Sequence, residues 1–174
     1  MGELSGKRVV ILLADNYNEF EFWYPKYRLL EAGAEVVVAG AEMGLTYKSK
    51  LGMPAKADVS YGACQPEAFH GVVIPGGYAP DLIRRDVKAL DLVRGLDALG
   101  KVVAFICHAG WVPVSAGILK GRRVTSICSI KDDLLNAGAL WQDAEVVVDR
   151  NLLSSRAPDD LPAFCRTLVN LLKG

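Results

Sequence analysis

Short apolar runs alternate with longer segments of mixed polarity along the chain, and this pattern predicts strands that alternate with helices. The apolar runs contain few polar residues, which is typical of parallel strands buried on both faces. The predicted strands are Arg8–Leu13, Glu35–Ala39, Gly71–Ile74, Val102–Ile106 and Val124–Ile127. Helical spacing and capping residues predict helices at Asn18–Ala32, Val87–Leu99, Ser129–Gly138 and Pro158–Leu172, with shorter helical segments at Pro80–Arg85 and before Gly117.

Two further pairs of segments predict β-hairpins, Thr46–Lys50 with Pro54–Val59 and Glu145–Val148 with Asn151–Ser154. Parallel strands joined by crossover helices predict an α/β fold, a flavodoxin-like doubly wound sandwich whose mostly parallel sheet has helices on both faces. No repeat, linker or shift in composition divides the chain. We therefore expect a single domain over residues 1–174.

In sheets of this kind, ligands bind beyond the carboxyl ends of the strands. Three predicted segments meet there: the turn Asn16–Glu21, the run Pro75-Gly76-Gly77 and the pair Cys107-His108. The other histidine, His70, precedes its strand, so we expect it at the opposite end of the sheet in a structural role. The topology therefore predicts a site that contains His108 and not His70.

Composition and charge argue against several classes of protein. The 174 residues include 20 basic and 20 acidic side chains, and the formal net charge is +0. No basic stripe predicts nucleic-acid binding, no apolar run has the length of a membrane span, and the first run is too short for a signal peptide. The cysteines lack the paired spacing of a metal site, so we expect reduced thiols, no bound metal and a cytoplasmic location; they are Cys64, Cys107, Cys128 and Cys165.

The sequence around Cys107 carries the clearest chemical signal. Cys107 follows a buried strand directly, and a histidine and two small residues separate it from the next helical segment. A side chain at such a turn lies above the sheet, near the positive end of the following helix, where the field favours a thiolate. The arrangement resembles the elbow on which hydrolases present a nucleophilic serine. We therefore interpret Cys107 as a nucleophile.

Two other functions of such a fold fit the sequence less well. A nucleotide cofactor needs a phosphate loop after the first strand, but the turn Asp15–Glu19 carries carboxylates that would repel a phosphate. A glutamine amidotransferase needs a distant second histidine as a base, and the only histidine after Cys107 is its neighbour His108. We therefore expect no cofactor.

The chain is similar to members of the DJ-1/PfpI superfamily, which have a type-1 glutamine amidotransferase-like fold, and specifically to the PfpI-type branch of intracellular peptidases and glyoxalase- or deglycase-like proteins. The similarity covers nearly the whole sequence and includes the elbow Phe105-Ile106-Cys107-His108. Further matching segments are Glu21 with Pro25, Pro75–Asp81, Ser115–Gly117, Ile130–Asp133, Asn136–Gly138, Ser155-Arg156 and Asp159–Leu161.

The resemblance implies roles for the residues around the thiol. Cys107 matches the nucleophile, and Glu21 matches a buried acid that donates a hydrogen bond to the sulfur when it is protonated. Glu21 also has capping-box spacing from Asn18, which is a purely structural alternative. The backbone amides of Gly76, Gly77 and His108 match an oxyanion hole, although the two glycines could simply form a tight turn.

His108 resembles the family's general base, and Asp81 stands at the position of an acidic partner that a neighbouring subunit supplies. Neighbouring side chains at an elbow diverge, and Asp81 is one methylene shorter than the usual glutamate, so the sequence leaves both contacts open. Asp81 could instead cap the short helix after Pro80.

Three residues are candidates for the wall of the pocket: Tyr78, Trp111 and Cys128. Cys128 either packs as a small apolar residue or serves as a resolving thiol for oxidised Cys107. Close by, Ser129 and Asp132 have the spacing of a capping pair for the next helix.

Three functions remain open from the sequence. One is a cysteine-dependent hydrolase, a peptidase or amidase acting on peptides or a deglycase acting on glycated adducts; another is a glyoxalase-like enzyme that converts methylglyoxal to lactate. The third is a non-catalytic stress protein that senses oxidation or acts as a chaperone. The substrate is then a small carbonyl compound or a peptide, and the resemblance implies a homodimer or a hexamer built from three dimers.

Overall fold

A seven-stranded sheet forms the centre of the protein in the computed structural model, which describes residues 2–174. In spatial order its strands are β10, β11, β7, β6, β1, β2 and β5, and only the edge pair β10–β11 is antiparallel. Their bounds are β1 Arg8–Leu12, β2 Glu35–Gly40, β5 Val59–Ser60, β6 Gly71–Ile74, β7 Val102–Ile106, β10 Val147–Asp149 and β11 Leu152–Ser155. Two small sheets complete the strands: β3 Thr46–Lys48 with β4 Pro54–Lys56, and β8 Arg123–Val124 with β9 Leu140–Trp141.

Six α-helices surround the sheet, and their bounds are α1 Glu19–Glu31, α2 Ala79–Ile83, α3 Val87–Ala98, α4 Trp111–Ala116, α5 Lys131–Asn136 and α6 Leu161–Lys173. Helix α1 packs against α6, while α4 packs against both α2 and α3. The helices thus form two groups, α1 with α6 and α2 with α3 and α4. Strand β7 contacts α3 of one group and α6 of the other, so the two groups cover opposite faces of the sheet. The predicted α/β class with a mostly parallel sheet is confirmed.

The central strands agree with the sequence pattern because their side chains are apolar on both faces. All residues of β6 and β7 are buried, and the predicted bounds of both strands are those observed. Both predicted hairpins are present. The first is shorter than predicted, because Val59 and Ser60 pair in parallel with β2 at the edge of the main sheet instead of extending the hairpin.

Two local predictions were wrong. The strand predicted at Val124–Ile127 ends at Val124, because the N–H of Thr125 donates to the Ser154 hydroxyl instead of continuing a ladder. The predicted cap of α5 is not formed: Ile130 is its N-cap residue and no side chain caps the helix. Ser129 lies one residue too early, on a 3-10 turn at Cys128–Ile130, and its hydroxyl contacts His108.

None of the helices within residues 2–174 combines the length and the apolar character that a membrane-crossing helix requires.

Candidate active site

Cys107 occupies a sharp elbow between β7 and α4. Its φ angle is +62°, a left-handed value that is costly for a residue with a side chain and persists only where the surroundings impose it. A 3-10 turn, Cys107–Gly110, follows at once and leads into α4. Gly110 allows this turn to pack closely on the next segment, since an added Cβ would lie 3.2 Å from both Ile130 and Leu134 side-chain carbons. The elbow presents the thiol at the carboxyl end of the sheet, with 9% of the residue exposed.

Glu21 reaches the same place from the first turn of α1 and is fully buried, with 0% of its surface exposed. The Asn18 side chain caps α1 by accepting hydrogen bonds from the backbone N–H groups of Phe20 and Glu21. The carboxylate of Glu21 does not complete a capping box, because Oε2 accepts the N–H of Gly76 at 2.7 Å. Among residues 2–174, Oε1 has no hydrogen-bond partner.

The carboxyl group of Glu21 and the thiol of Cys107 shift each other's ionisation. Burial raises the pKa of Glu21 to about 7. Burial, followed by the negative charge of Glu21, raises the pKa of Cys107 to about 12, while the backbone N–H groups of His108 and Gly77 act in the opposite direction. Because two neighbouring anions repel each other in a buried site, the pair holds at most one negative charge near neutral pH.

That single charge can reside on sulfur. Oε2 of Glu21 accepts the Gly76 N–H, so a proton on the carboxyl group is best placed on the unpartnered Oε1. When Glu21 is protonated, its charge no longer opposes ionisation of Cys107. The sequence predicts that the field of the following helix favours a thiolate at Cys107. That field has only a minor effect on the ionisation of the thiol, because α4 has only six residues and begins after the 3-10 turn.

The two glycines after β6 have different roles. An added Cβ at Gly76 would lie 2.5 Å from Glu21 Oε2 and 2.8 Å from Cys107 Cβ, so only glycine allows these groups to approach. The expectation that the Gly76 amide belongs to an oxyanion hole was wrong, because Glu21 already accepts its hydrogen bond. Gly77, with φ +80°, and His108 direct their N–H groups toward the sulfur and remain the candidate oxyanion donors.

The imidazole of His108 turns back toward the thiol although the two residues are adjacent in sequence. Nδ1 lies 3.3 Å from Cys107 Sγ, and Nε2 lies 3.2 Å from Ser129 Oγ. Burial and, to a smaller extent, the positive charge of Lys50 lower the pKa of His108. A neutral imidazole can accept a proton, so the geometry allows His108 to act as a base toward Cys107 within one chain.

Asp81 does not contribute to this arrangement within one chain. It lies in the first turn of α2, where its carboxylate pairs with Arg85 and caps no backbone N–H group. The alternative that Asp81 caps the short helix was therefore wrong. A contact between Asp81 and His108 of another subunit stays a prediction.

A cavity of about 280 Å³ opens above the thiol, and its lining residues are Asn18, Lys50, Gly77, Tyr78, Cys107, His108 and Trp111. Trp111 is held by a 2.7 Å hydrogen bond from its Nε1 to Asp133, and its ring lies 5.3 Å from the ring of His108. The structure thus brings two of the three candidate wall residues, Tyr78 and Trp111, to the cavity. Cys128 is exposed and does not line the cavity, so the expectations that it forms part of the pocket wall or packs as a small apolar residue were wrong. Its role as a resolving thiol stays a prediction.

Sequence reasoning missed two polar residues near the thiol. Lys50 lies in the connection of the first hairpin and reaches the cavity because its backbone N–H bonds to Tyr17 and fixes the loop there. Ser129 was assigned to a helix cap. Neither position carries a sequence signal that would have revealed its place beside His108.

Within residues 2–174, no group of three or more metal-binding side chains is arranged to hold an ion. The four cysteines are free thiols. The features that organise the site are therefore a thiol on an elbow, a buried carboxyl group and an imidazole, which together define an α/β protein with a cysteine-based site.

The chain belongs to the DJ-1/PfpI family, whose model matches residues 7–171. Deglycase PH1704 of Pyrococcus horikoshii is 46% identical over 95% of this chain and 99% of its own length. YraA of Bacillus subtilis, whose name proposes a cysteine protease, is 38% identical over 96% of this chain and 99% of its own.

A crystal structure from Anabaena variabilis superposes with a TM-score of 0.93 and 38% identity over 94% of the present chain. That protein contains a DJ-1/ThiJ/PfpI-like domain and a ferritin-like domain, and the present chain spans about half of it, 47%. The predicted family is confirmed.

Proposed function

We propose that this protein is an enzyme that uses Cys107 as a nucleophile toward reactive carbonyl compounds or the adducts that they form with proteins. The observation that carries the proposal is the fully buried carboxyl group of Glu21 beside the thiol of Cys107, with no hydrogen-bond partner for its Oε1 within residues 2–174. An unsatisfied buried polar atom destabilises the fold, by about 1–3 kcal/mol in typical cases. Groups of this kind are concentrated where function requires them. The deglycase name of the Pyrococcus relative supports the choice of substrate class.

The residues present can perform aldehyde chemistry without an external redox partner. Cys107 sulfur bonds to the aldehyde carbon of methylglyoxal, the carbon–oxygen π bond breaks, and the oxygen takes a proton to give a hemithioacetal. Moving one proton from that carbon to the neighbouring ketone carbon, and the hydroxyl proton to the ketone oxygen, gives a lactate thioester, since one carbon is oxidised as the other is reduced. Water then releases lactate and the thiol. Glu21 and His108 are the groups placed to shuttle the protons.

The size of the cavity also favours a small substrate. Sites for drug-sized ligands typically occupy about 300–1,000 Å³, and the cavity above Cys107 has a volume of about 280 Å³. The N–H groups of Gly77 and His108 are the candidate stabilisers of the oxyanion that forms when the thiolate attacks.

A direct assay tests the proposal. The purified protein is incubated with methylglyoxal, with a glycated peptide and with a short fluorogenic peptide, and the Cys107→Ser variant is assayed in parallel. We expect lactate formation or release of the sugar adduct by the wild type alone. Turnover of the same size by the variant would contradict the role of Cys107.

A peptidase or amidase is the second candidate, favoured by the 3.3 Å contact between Cys107 Sγ and His108 Nδ1 and by the name of YraA. Cleavage of the fluorogenic peptide without lactate formation would select it. If none of the three substrates reacts and only the wild type gains mass rapidly with peroxide, the function is redox sensing through Cys107.

We also propose that the protein forms a homodimer, or a hexamer built from dimers. Support comes from exposed aromatic side chains on α1, since Phe20, Tyr24 and Tyr27 are 62%, 44% and 58% exposed. Sedimentation velocity tests the assembly, and a monomer at micromolar concentration would contradict it.

A further inference from the structure

The two ring nitrogens of His108 each have a polar neighbour, and only one of these neighbours is a reacting group. Its Nδ1 lies 3.3 Å from the Cys107 sulfur, and its Nε2 lies 3.2 Å from the hydroxyl oxygen of Ser129. Asp81, the acid that the resemblance assigned to this histidine, pairs with Arg85. Within one chain, Ser129 is therefore the group that stands behind His108 on the side opposite the thiol.

The turn that carries Ser129 is fixed to the elbow. The N–H of Ile127 donates to the carbonyl of Cys107 at 3.4 Å, and the side chain of Ile130 packs against Gly110. Because this 3-10 turn is anchored on both sides of Ser129, the hydroxyl group is held at a defined position relative to the imidazole ring. The ring of Trp111 lies beside the imidazole, with the two ring centres 5.3 Å apart.

A hydroxyl group suits a histidine that exchanges a proton with a neighbouring thiol. Ser129 can donate a hydrogen bond to Nε2 when the proton is on Nδ1, and it can accept one from Nε2–H when Nδ1 is free to take the thiol proton. A carboxylate could only accept and would favour the imidazolium ion. A hydroxyl group can therefore hydrogen-bond to both tautomers of the ring, and it leaves the ring able to give and take protons.

We propose that Ser129 is a positioning residue that holds the His108 ring against Cys107 in both of its protonation forms. The inference rests on the proposed function, because it assigns His108 to proton transfer at the thiol. Ser129 touches neither the sulfur nor the cavity. It acts only through His108.

The test compares two variants of equal shape, Ser129→Thr and Ser129→Val, which differ only in the hydroxyl group. One readout is the ¹⁵N chemical shifts of the histidine rings, which report which nitrogen carries the proton. His70 serves as an internal reference, because its Nδ1 accepts the backbone N–H of Arg8 at 3.1 Å at the other end of the sheet. We expect Ser129→Val to change the shifts of His108 and not those of His70, and Ser129→Thr to retain the wild-type shifts.

The second readout is the rate at which iodoacetamide alkylates Cys107 at pH 7. Trypsin separates Cys107 from the exposed Cys128, since the two lie in the peptides Val102–Lys120 and Val124–Lys131. We expect Ser129→Val to slow alkylation about 3- to 10-fold, the effect of one neutral hydrogen bond. Asp132→Asn is the control for a capping role, and it should change neither readout.

Identical ring shifts and alkylation rates in the Thr and Val variants would overturn the proposal. Neither readout uses a carbonyl substrate. A wild type that turns over no carbonyl compound therefore contradicts the proposed function, while the role of Ser129 is still decided by the Thr–Val comparison.

Discussion

Two buried polar clusters lie at opposite ends of the central strands, and they differ in how well their charges are satisfied. At the amino end of β7 and β11, the guanidinium of Arg122, which is 7% exposed, donates to the Asp149 carbonyl and to the Asn151 side chain at 2.6 and 2.9 Å. It also pairs with Asp97 at 3.4 Å, and Asn151 donates to the same carboxylate at 2.9 Å. The charge of Arg122 is matched there by the carboxylates of Asp97 and Asp149, at 3.4 and 3.8 Å, although its Nε has no hydrogen-bond partner within residues 2–174.

At the carboxyl end of β7, the buried carboxyl group of Glu21 forms no ion pair within residues 2–174, where Lys50 acts on it only from a distance, and one of its oxygens has no hydrogen-bond partner. Its neighbour is a thiol, another group that ionises to an anion. Burial is therefore not what distinguishes the two clusters. The distinguishing feature is an acid without an ion-pair partner beside a thiol, and it marks the carboxyl end of the sheet as the candidate site of chemistry.

The largest effect is expected from Cys107→Ser. Loss of a nucleophile that acts with a base typically costs several orders of magnitude, so turnover should fall by about 1,000-fold or more. The stability of the fold should change little, because the substitution is nearly isosteric. The exposed Cys128→Ser variant is the matched control, and equal losses in both would remove the distinction between this site and the remaining thiols.

Asp97→Ala tests the cluster at the other end. The substitution removes one of the two carboxylates that pair with Arg122 and leaves Asp149 at 3.8 Å, and we expect the free energy of unfolding to fall by about 1.5–3 kcal/mol, the effect of a lost hydrogen bond to a charged group. Turnover per folded molecule should be unchanged. Urea titration measures the free energy of unfolding, and the carbonyl assay measures turnover. A variant with normal stability and reduced turnover would contradict a structural role for the Arg122 cluster.

The variant Glu21→Gln should make the protein more stable at high pH. The pKa of Glu21 is about 7 in the folded protein, against 4.5 for a glutamate exposed to water, so the folded state binds more protons between these values. The wild type therefore loses stability as pH rises from 4.5 to 7, by about 3 kcal/mol in total, and the loss persists above pH 7. A glutamine has no such ionisation.

Urea titrations of Glu21→Gln and wild type at pH 5, 6, 7 and 8 measure this difference. The stability gap should widen in favour of the variant up to about pH 7 and then level off. A gap that does not change with pH would mean that the carboxyl group of Glu21 titrates normally.

Gly76→Ala should have the smallest effect of the four. Its Cβ would push the Glu21 carboxyl group and Cys107 apart, and overpacking of this kind costs about 1–3 kcal/mol. Thermal unfolding and the alkylation rate of Cys107 measure the change. Alanine at Gly62, where the nearest atoms to an added Cβ are 3.6 Å away in a flexible lysine, is the control.

Much of the fold could be predicted from the sequence, because β6 and β7 are apolar on both faces and their flanking turns carry strong signals. The position of Cys107 at the carboxyl end of β7 could be predicted in the same way, because the residue directly follows an apolar run. Glu21 was found through the family resemblance, since its spacing from Asn18 alone also fits a cap. The pattern Ser129-x-x-Asp132 was misread because a hydroxyl group near a helix start looks the same in sequence whether it caps the helix or faces a histidine across the fold.

The amide of Gly76 shows a second limit. A Gly-Gly pair after a strand indicates that backbone N–H groups are accessible, but not which acceptor takes each of them. That assignment depends on the side chain of Glu21, which is 55 residues away in sequence. Contacts of this range are set by the packing of whole elements and leave no local pattern.

The most direct test of the Glu21–Cys107 pair is a titration of both groups by ¹³C NMR, with the Glu carboxyl carbons and the Cys Cβ carbons labelled. Glu21→Gln and Cys107→Ser identify the two signals and show how each group titrates alone. We predict that the pair releases one proton near neutral pH and the second only well above pH 9. Two independent ionisations with ordinary pKa values, below 5 for Glu21 and about 8.5 for Cys107, would contradict a shared charge at this site.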